Sequence, residues 1–354
     1  GTSHVPIILA ADIFPNVYRC PALHIATRGI FTNAPTTSPY RGAGQPEAIY
    51  VVERLIERAA SATGVSSEEI RQRNYISADS MPYKTSTGQV YDGGEFSTVT
   101  QKAMELSDRT GFHLRQTLSE GRGKLRGFGI SYFIEITAIQ SDRMEIRFDP
   151  SGSVTVLTGT FSHGQGHETV FPQLVAEWLG VPIDRIRLIQ GDTDRVAYGR
   201  GTYASRSMTI GGSALRSAAD EGIAKGKLIA GHLLEVAPDD IEFLNGTFSI
   251  MGTDRSVSIE SVAREAHAPA GMPVTFDVGL EGRGSFSPTV PNYPNGCHVC
   301  EVEIDQETGH VDIVGYSAVD DVGCAINPLL LAGQVHGGVA QGIGQALLEK
   351  IVFD

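Results

Sequence analysis

Helices packed on mixed sheets, an α+β fold, follow from three features of this sequence. The first is Thr160–Glu168, Thr-Phe-Ser-His-Gly-Gln-Gly-His-Glu. It lies between an alternating apolar run (Val154, Val156, Leu157) and an amphipathic one (Val170, Leu174, Val175, Trp178, Leu179), and so reads as strand, glycine turn, helix. The second is a series of alternating segments, Phe128–Ala138, Met144–Phe148 and Val154–Thr158, with a Pro-Ser-Gly turn at 150–152 between the last two. The third is a set of longer segments with helical spacing, one from Pro46 to Gly64, one starting at Ser66, and others near 98–108, 209–235 and 328–350.

The totals limit what such a fold can do. A chain of 354 residues has room for two domains or one large one. No apolar run reaches the roughly 18 residues that span a bilayer. A net charge of −13 argues against nucleic acid, which needs clustered Lys and Arg. The 41 glycines exceed the usual share of about 7% without any repeating period. They cluster between periodic segments, as in a protein that brings many backbone turns up to a ligand. Of Cys20, Cys297, Cys300 and Cys324, only Cys297-His-Val-Cys300 has motif spacing, and no second pair completes a zinc site. Strand alternation through Cys297–Ile304 puts those two thiols on opposite faces. Few cysteines and no signal peptide predict a soluble, cytoplasmic protein. The chain starts on Gly1 and stops at Ile351-Val352-Phe353-Asp354, which reads as a piece cut from a longer polypeptide at both ends.

In chain order, residues 1–40 read as irregular, with a strand-like piece at Leu23–Ile30. Pro39-Tyr40-Arg41-Gly42-Ala43-Gly44-Gln45-Pro46-Glu47 is a turn, with Pro46 in the first turn of a helix. In that helix Ile49, Val52, Leu55, Ile56 and Ala59 form a stripe and Gly64 ends it. Ser66-x-x-Glu69 is a capping box for a second helix. Residues 77–95 suggest a long loop and a domain boundary, dividing the chain into 1–80 and 93–354. Gly121-Arg122-Gly123-Lys124-Leu125-Arg126-Gly127 is not a dinucleotide fingerprint, because Arg126 stands where a glycine is needed. After a helix at 167–179, Gly180-Val181-Pro182 breaks the chain and Ile186–Gln190 reads as a strand. An irregular segment at 191–208 runs into the helix at 209–235, in which Gly211, Gly212 and Ala214 permit close approach of another element. Residues 238–260 form a hairpin turning at Asn245-Gly246, then a short helix. Further strands are expected at Val274–Gly284, Cys297–Ile304 and Val311–Val319. In the final helix, Gly333, Gly337, Gly338, Gly342 and Gly344 imply close packing or backbone near a ligand. Gln334 and Gln341, seven apart, share one face where amides could meet a polar ligand.

The chemistry available is mostly hydrogen bonding. No Gly-x-Ser-x-Gly elbow and no Walker A motif occur. His163 and His167 could form a metal pair for a hydrolase, but Gly164 and Gly166 between them are poor helix residues and the His-Glu-x-x-His spacing is absent. The Gly/Gln/Ser/Arg segments suit a bulky, anionic cofactor whose own chemistry does the work, with glycine turns at helix N-termini holding its phosphates.

Four motifs occur in one order. They are Pro39–Glu47; Ser162–Glu168; Gly201-Thr202-Tyr203-Ala204-Ser205-Arg206-Ser207; and Asp320-Asp321-Val322-Gly323-x-x-Ile326-Asn327-Pro328 followed by Gly333-Gln334-Val335-His336-Gly337-Gly338 and Gln341-Gly342. Together, over essentially the whole chain, they resemble the molybdenum-binding large subunit of the xanthine dehydrogenase/aldehyde oxidase family, in particular the carbon monoxide dehydrogenase type. The resemblance implies the molybdopterin-binding domains of that family. Residues 1–80 would be the C-terminal part of the first, and 93–354 the second, incomplete at its C-terminus.

It also implies molybdopterin, as the cytosine dinucleotide, and hydroxylation of a carbon with water-derived oxygen. Electrons would leave through [2Fe–2S] and FAD on an iron–sulfur small subunit and a FAD-binding medium subunit, in a dimer of heterotrimers. By the same resemblance Arg41 is the catalytic side chain beside molybdenum and substrate, on a loop with Tyr40, Gly42 and Ala43. His163, Gly164, Gln165, Gly166 and His167 bind the cofactor with Thr202, Ala204, Ser205, Arg206, Ser207, Gln334 and Gln341, and none of them ligates metal. The family's copper-binding cysteine has no counterpart in Tyr-Arg-Gly-Ala-Gly, so an aldehyde or an N-heterocycle is expected as substrate rather than carbon monoxide. The family's catalytic glutamate, in a Gly-x-Gly-Glu motif, falls beyond residue 354, and an N-terminal cofactor segment is absent. This predicts a chain inactive alone, or a truncated paralogue serving as an interaction module.

Overall fold

The computed structural model describes residues 2–268 and 276–352. The chain divides into two compact units: unit 1 comprises residues 1–137 with 292–324, and unit 2 comprises 138–291 with 325–352.

Unit 1 begins with α1 (Val5–Ile13), where the sequence suggested irregular chain. Its apolar residues lack an amphipathic period, so the helix left no pattern to read. Leu23–Ile30 pairs with no strand; it is largely exposed extended chain. Next come α2 (Gln45–Thr63), ended by Gly64 in the left-handed region, and α3 (Ser67–Asn74), whose cap Ser66 accepts from the Glu69 amide at 3.2 Å. Of the stripe expected on α2, Val52 and Ile56 pack against the core and Leu55 is exposed, while Gln45, Ala48 and Glu53 are buried. Glu53 is drawn in because Arg71 on α3, Tyr18 Oη and Asn16 Nδ2 all donate to its carboxylate, at 2.7–3.0 Å. Burial pushes its carboxyl up, against the pull of Arg71.

Residues 77–95 hold a short hairpin, β1 (Tyr83–Lys84) and β2 (Val90–Tyr91). Then follow α4 (Phe96–Leu106), α5 (Phe112–Glu120) and β3 (Lys124–Ile134).

Unit 2 carries the hairpin β4 (Asp142–Phe148) and β5 (Val154–Thr158), then α6 (His167–Leu179) and β6 (Ile186–Gln190), which pairs parallel to β5. The unit β5–α6–β6 is a crossover with the glycine turn between strand and helix, as the periodicities require. The long helix opens with a π-turn at Ser207–Gly212 and continues as α7 (Ser213–Leu234). The Asn245-Gly246 hairpin is present as β7 (Ile241–Leu244) and β8 (Thr247–Ile250), with β9 (Ser256–Ser258) and α8 (Ile259–Ala266) after it. The strand expected over Val274–Gly284 begins outside the described residues; β10 runs Glu281–Phe286 and completes the order β10-β4-β5-β6. The helix α7 lies against β10, where a Cβ on Gly284 would sit 1.9 Å from the Ala214 carbonyl oxygen. This is the close approach expected at Ala214.

The chain returns to unit 1 with β11 (Asn295–Asp305) and β12 (Val311–Asp321), giving the antiparallel order β12-β11-β3. Cys297 is buried and Cys300 half-buried, on opposite faces as expected. Unit 2 ends with α9 (Pro328–Leu347), capped by Asn327.

Candidate functional site

Three segments of unit 2 meet at the end of β5. The chain leaves the strand through Thr158 and Thr160, both fully buried, their hydroxyls 2.9 Å apart. The turn that follows is held from several sides. Ser162 N donates to Gln190 Oε1 at 3.0 Å, and Gln190 Nε2 donates in turn to Glu168. Gly164 N donates to Ser162 Oγ at 3.2 Å, and the His163 amide to the Gln165 side chain. Gly166, at φ +74°, starts α6, and its carbonyl accepts from Thr169 and Val170. Gly164, at φ +113°, has open space where a Cβ would stand.

The two histidines diverge. His163 is exposed, edge-on to Phe161 with ring centroids 4.4 Å apart. His167 is only 3% exposed, tilted against Phe171, and its Nδ1 is buried with no hydrogen-bond partner. Burial lowers its pKa below the ordinary 6.5, with His163 adding to the shift and Glu168 opposing it. The buried ring is therefore neutral at pH 7. No group of three or more His, Cys, Asp or Glu able to hold a metal ion occurs among the described residues.

The second segment is 199–207. Gly201 N donates to Gly159 O at 3.1 Å, Thr202 Oγ1 to Phe161 O at 2.8 Å, and Ser207 Oγ to Thr202 Oγ1 at 3.2 Å. Ala204 and Ser205 are both left-handed, at φ +50° and +47°, immediately before the π-turn. Consecutive non-glycine residues in that region store strain of a kind that gathers at ligand clamps. Arg206 points inward: Nη1 donates to Asp142 at 2.7 Å and to Gly201 O at 2.9 Å, and Nη2 to Ser141 O at 2.7 Å. It holds the loop from below.

The third segment is α9. Asn327 Nδ2 donates to Gln173 Oε1 at 3.1 Å, and Gln173 Nε2 to Ile326 O at 2.8 Å, so α6 anchors the start of α9. Gln334 Nε2 donates to Gly164 O at 3.1 Å. A Cβ on Gly166 would lie 2.8 Å from Leu330. No residue of α9 is buried, and its glycines 333, 337, 338 and 342 face open space, so close packing against the described residues does not account for them. Gln341 lies half-buried two turns beyond Gln334.

Arg41 belongs to unit 1. It is exposed and makes no ion pair or hydrogen bond with any described residue. Its loop winds left-handed through Gly42, Ala43 and Gly44, at φ +86°, +48° and +91°, with Ala43 N donating to Tyr40 O at 2.7 Å. Tyr40 is half exposed beside it.

Sequence reasoning missed Gln190, Gln173 and Asp142, which position the turn and its neighbours. For Gln190 and Asp142 the sequence offered only a polar residue at the end of a strand.

Comparison with known proteins gives matches to a molybdopterin cofactor-binding domain model over residues 102–354, and to a second such model over 2–75. The chain is 33% identical over 356 residues to the carbon monoxide dehydrogenase large chain of Hydrogenophaga pseudoflava, covering 95% of this chain and 44% of that one. It is 34% identical over 353 residues to the nicotine 6-hydroxylase large subunit of Paenarthrobacter nicotinovorans, covering 96% and 43%. The solved quinoline 2-oxidoreductase of Pseudomonas putida 86 superposes with a TM-score of 0.88 at 34% identity, covering all of this chain and 46% of that one. The chain thus spans less than half the length of these relatives.

Proposed function

Because this chain belongs to the molybdopterin cofactor-binding domains of the xanthine dehydrogenase family, we propose that it forms part of a molybdenum hydroxylase. The observation that carries this reading is the convergence of the 162–167 turn, the 199–207 loop and α9. That convergence leaves Gly164 facing open space beside the N-terminus of α6. A glycine turn with room at a helix N-terminus, bordered by hydroxyls and amides, suits an anionic, donor- and acceptor-rich group. The residues fit the cofactor.

In this reading residues 1–80 and 93–354 are two molybdopterin-binding domains. Gly164, Gln165 and Gly166 cradle the phosphates, Gln165 and Gly166 with their backbone N–H groups and Gly164 by leaving room. His163 and His167 flank them, and Thr202, Ala204, Ser205 and Ser207 form the opposite lip, with Arg206 fixing its shape. Gln334 and Gln341 offer amides to the pterin edge. Bound molybdopterin, as the cytosine dinucleotide, supplies the oxidation of a substrate carbon with oxygen from water. Arg41, bound to no described carboxylate, orients the substrate, with Tyr40, Gly42 and Ala43 shaping its loop.

An aldehyde or N-heterocycle suits this site better than carbon monoxide, since the 39–47 loop holds no thiol for Cu(I). The names nicotine 6-hydroxylase and quinoline 2-oxidoreductase among its relatives support the heterocycle. Electrons would pass to [2Fe–2S] and FAD subunits in a cytoplasmic dimer of heterotrimers. The test is the full-length polypeptide purified with its partner subunits: molybdenum and oxidised, heat-released pterin are expected in it. Arg41→Ala should lower kcat with pterin content unchanged. Absence of both pterin and molybdenum overturns the reading, and unchanged kinetics in Arg41→Ala removes that side chain from the site.

A further inference from the structure

We propose that Gln45 is the positioning residue that fixes the conformation of the Arg41 loop. The inference rests on the reading above only in taking that loop as part of the site. Three successive left-handed residues, Gly42 to Gly44, are an unusual backbone, and Ala43 among them has a Cβ that disfavours it. Something outside the three residues must hold them there.

Gln45 is built to do so. It is the first residue of α2 and only 3% exposed. Its Oε1 accepts from the Ile136 backbone N–H at 2.7 Å, just past the end of β3. Its Nε2 donates to the Gly42 carbonyl at 3.2 Å, which also accepts from Gln45's own backbone N–H at 3.1 Å. One amide therefore bridges the end of the β3 segment and the residue next to Arg41. Both ends of the bridge are anchored: β3 lies in the three-stranded sheet, and α2 is pinned by buried Glu53 against Arg71. On the other flank the Gly44 backbone lies so close to Pro6 that a Cβ would stand 1.9 Å from the Pro6 carbonyl oxygen. The loop is held between Gln45 and Pro6, and the direction in which Arg41 leaves it is set by that pair. A carboxylate has no donor for Gly42, and an apolar residue of equal length would leave the Ile136 N–H without a partner and the Gly42 carbonyl with only the residue-45 backbone N–H.

The test is amide hydrogen exchange, read by mass spectrometry, in the full-length protein assembled with its partners. Gln45→Met should speed exchange in the 40–45 peptide by about tenfold or more, while the 53–63 part of α2 keeps its wild-type rate. Gln45→Asn, one methylene too short to bridge both contacts, should behave the same way and serves if the Met variant does not assemble. Unchanged exchange at 40–45 overturns the proposal. So does an equal acceleration along all of α2, which would mark Gln45 as a residue of general stability. The kinetic arm separates this inference from the reading it rests on. Looser exchange with kcat reduced and pterin retained supports both. Looser exchange with unaltered kcat keeps Gln45 as the loop's anchor and removes the loop from the reaction.

Discussion

Arg206 Nη1 lies 2.7 Å from Asp142 Oδ2, and both side chains are completely withdrawn from solvent. The pair ties the strained 204–205 turn to the start of β4. Three backbone carbonyls, of Ile139, Ser141 and Gly201, also accept from the guanidinium. Such a network gives shape more than net stability, but breaking it by removing one partner leaves a buried charge uncompensated. Arg206→Met should cost about 3–5 kcal/mol in denaturant unfolding. Arg206→Met combined with Asp142→Leu should recover part of that loss. A single variant as stable as wild type would show that the pair is not buried in solution.

His167 gives a pH prediction. Its folded pKa is depressed by burial, so between that value and the ordinary 6.5 the unfolded chain holds more protons than the folded one. The stability it contributes is fully present above pH 6.5 and is lost as pH falls through the folded pKa. Denaturant midpoints at pH 7.5 and 5.5 should therefore differ more for wild type than for His167→Gln. Equal differences would mean that the ring is solvated.

Two glycines with similar backbone signs should respond differently to a methyl group. At Gly164 the Cβ would meet nothing within 4 Å, so Gly164→Ala carries only the left-handed penalty, about 1–2 kcal/mol. At Gly44 the same penalty is joined by collision with Pro6, roughly 1–3 kcal/mol more. Thermal unfolding of the two variants should place Gly44→Ala clearly lower, and the reverse order would contradict the loop geometry.

The β5–α6–β6 crossover was legible because its periodicity switches cleanly from two to helical and back, with Gly166 and Gly180 marking both ends of the helix. The hairpin at Asn245-Gly246 was legible from turn chemistry alone. By contrast α5 escaped notice because Leu114 and Leu118 face solvent and only Phe112 and Ser119 are buried, so its pattern never showed an inward stripe. On α2 the apolar spacing found Val52 and Ile56, which pack against the core, but gave no sign that Leu55 is exposed and that Glu53, paired with Arg71, is buried. The candidate loops could be named from their composition, but not their supports. A glutamine at the end of a strand, such as Gln190, carries no local sign of which turn it will hold. Arg206 sat inside a motif without any sign that it turns inward.

The order in which the polypeptide is made bears on unit 1. Its central strand β11 lies beyond residue 291, whereas its neighbour β3 ends at Ile134. During synthesis, all of the 138–291 stretch emerges while Ile130, Tyr132 and Ile134 still lack the strand that will pair with them. A nascent chain carrying an unpaired apolar strand for that long is exposed to association with its neighbours. The demand on folding helpers therefore peaks late, and any expression product that stops before Asn295 would carry an unpaired β3.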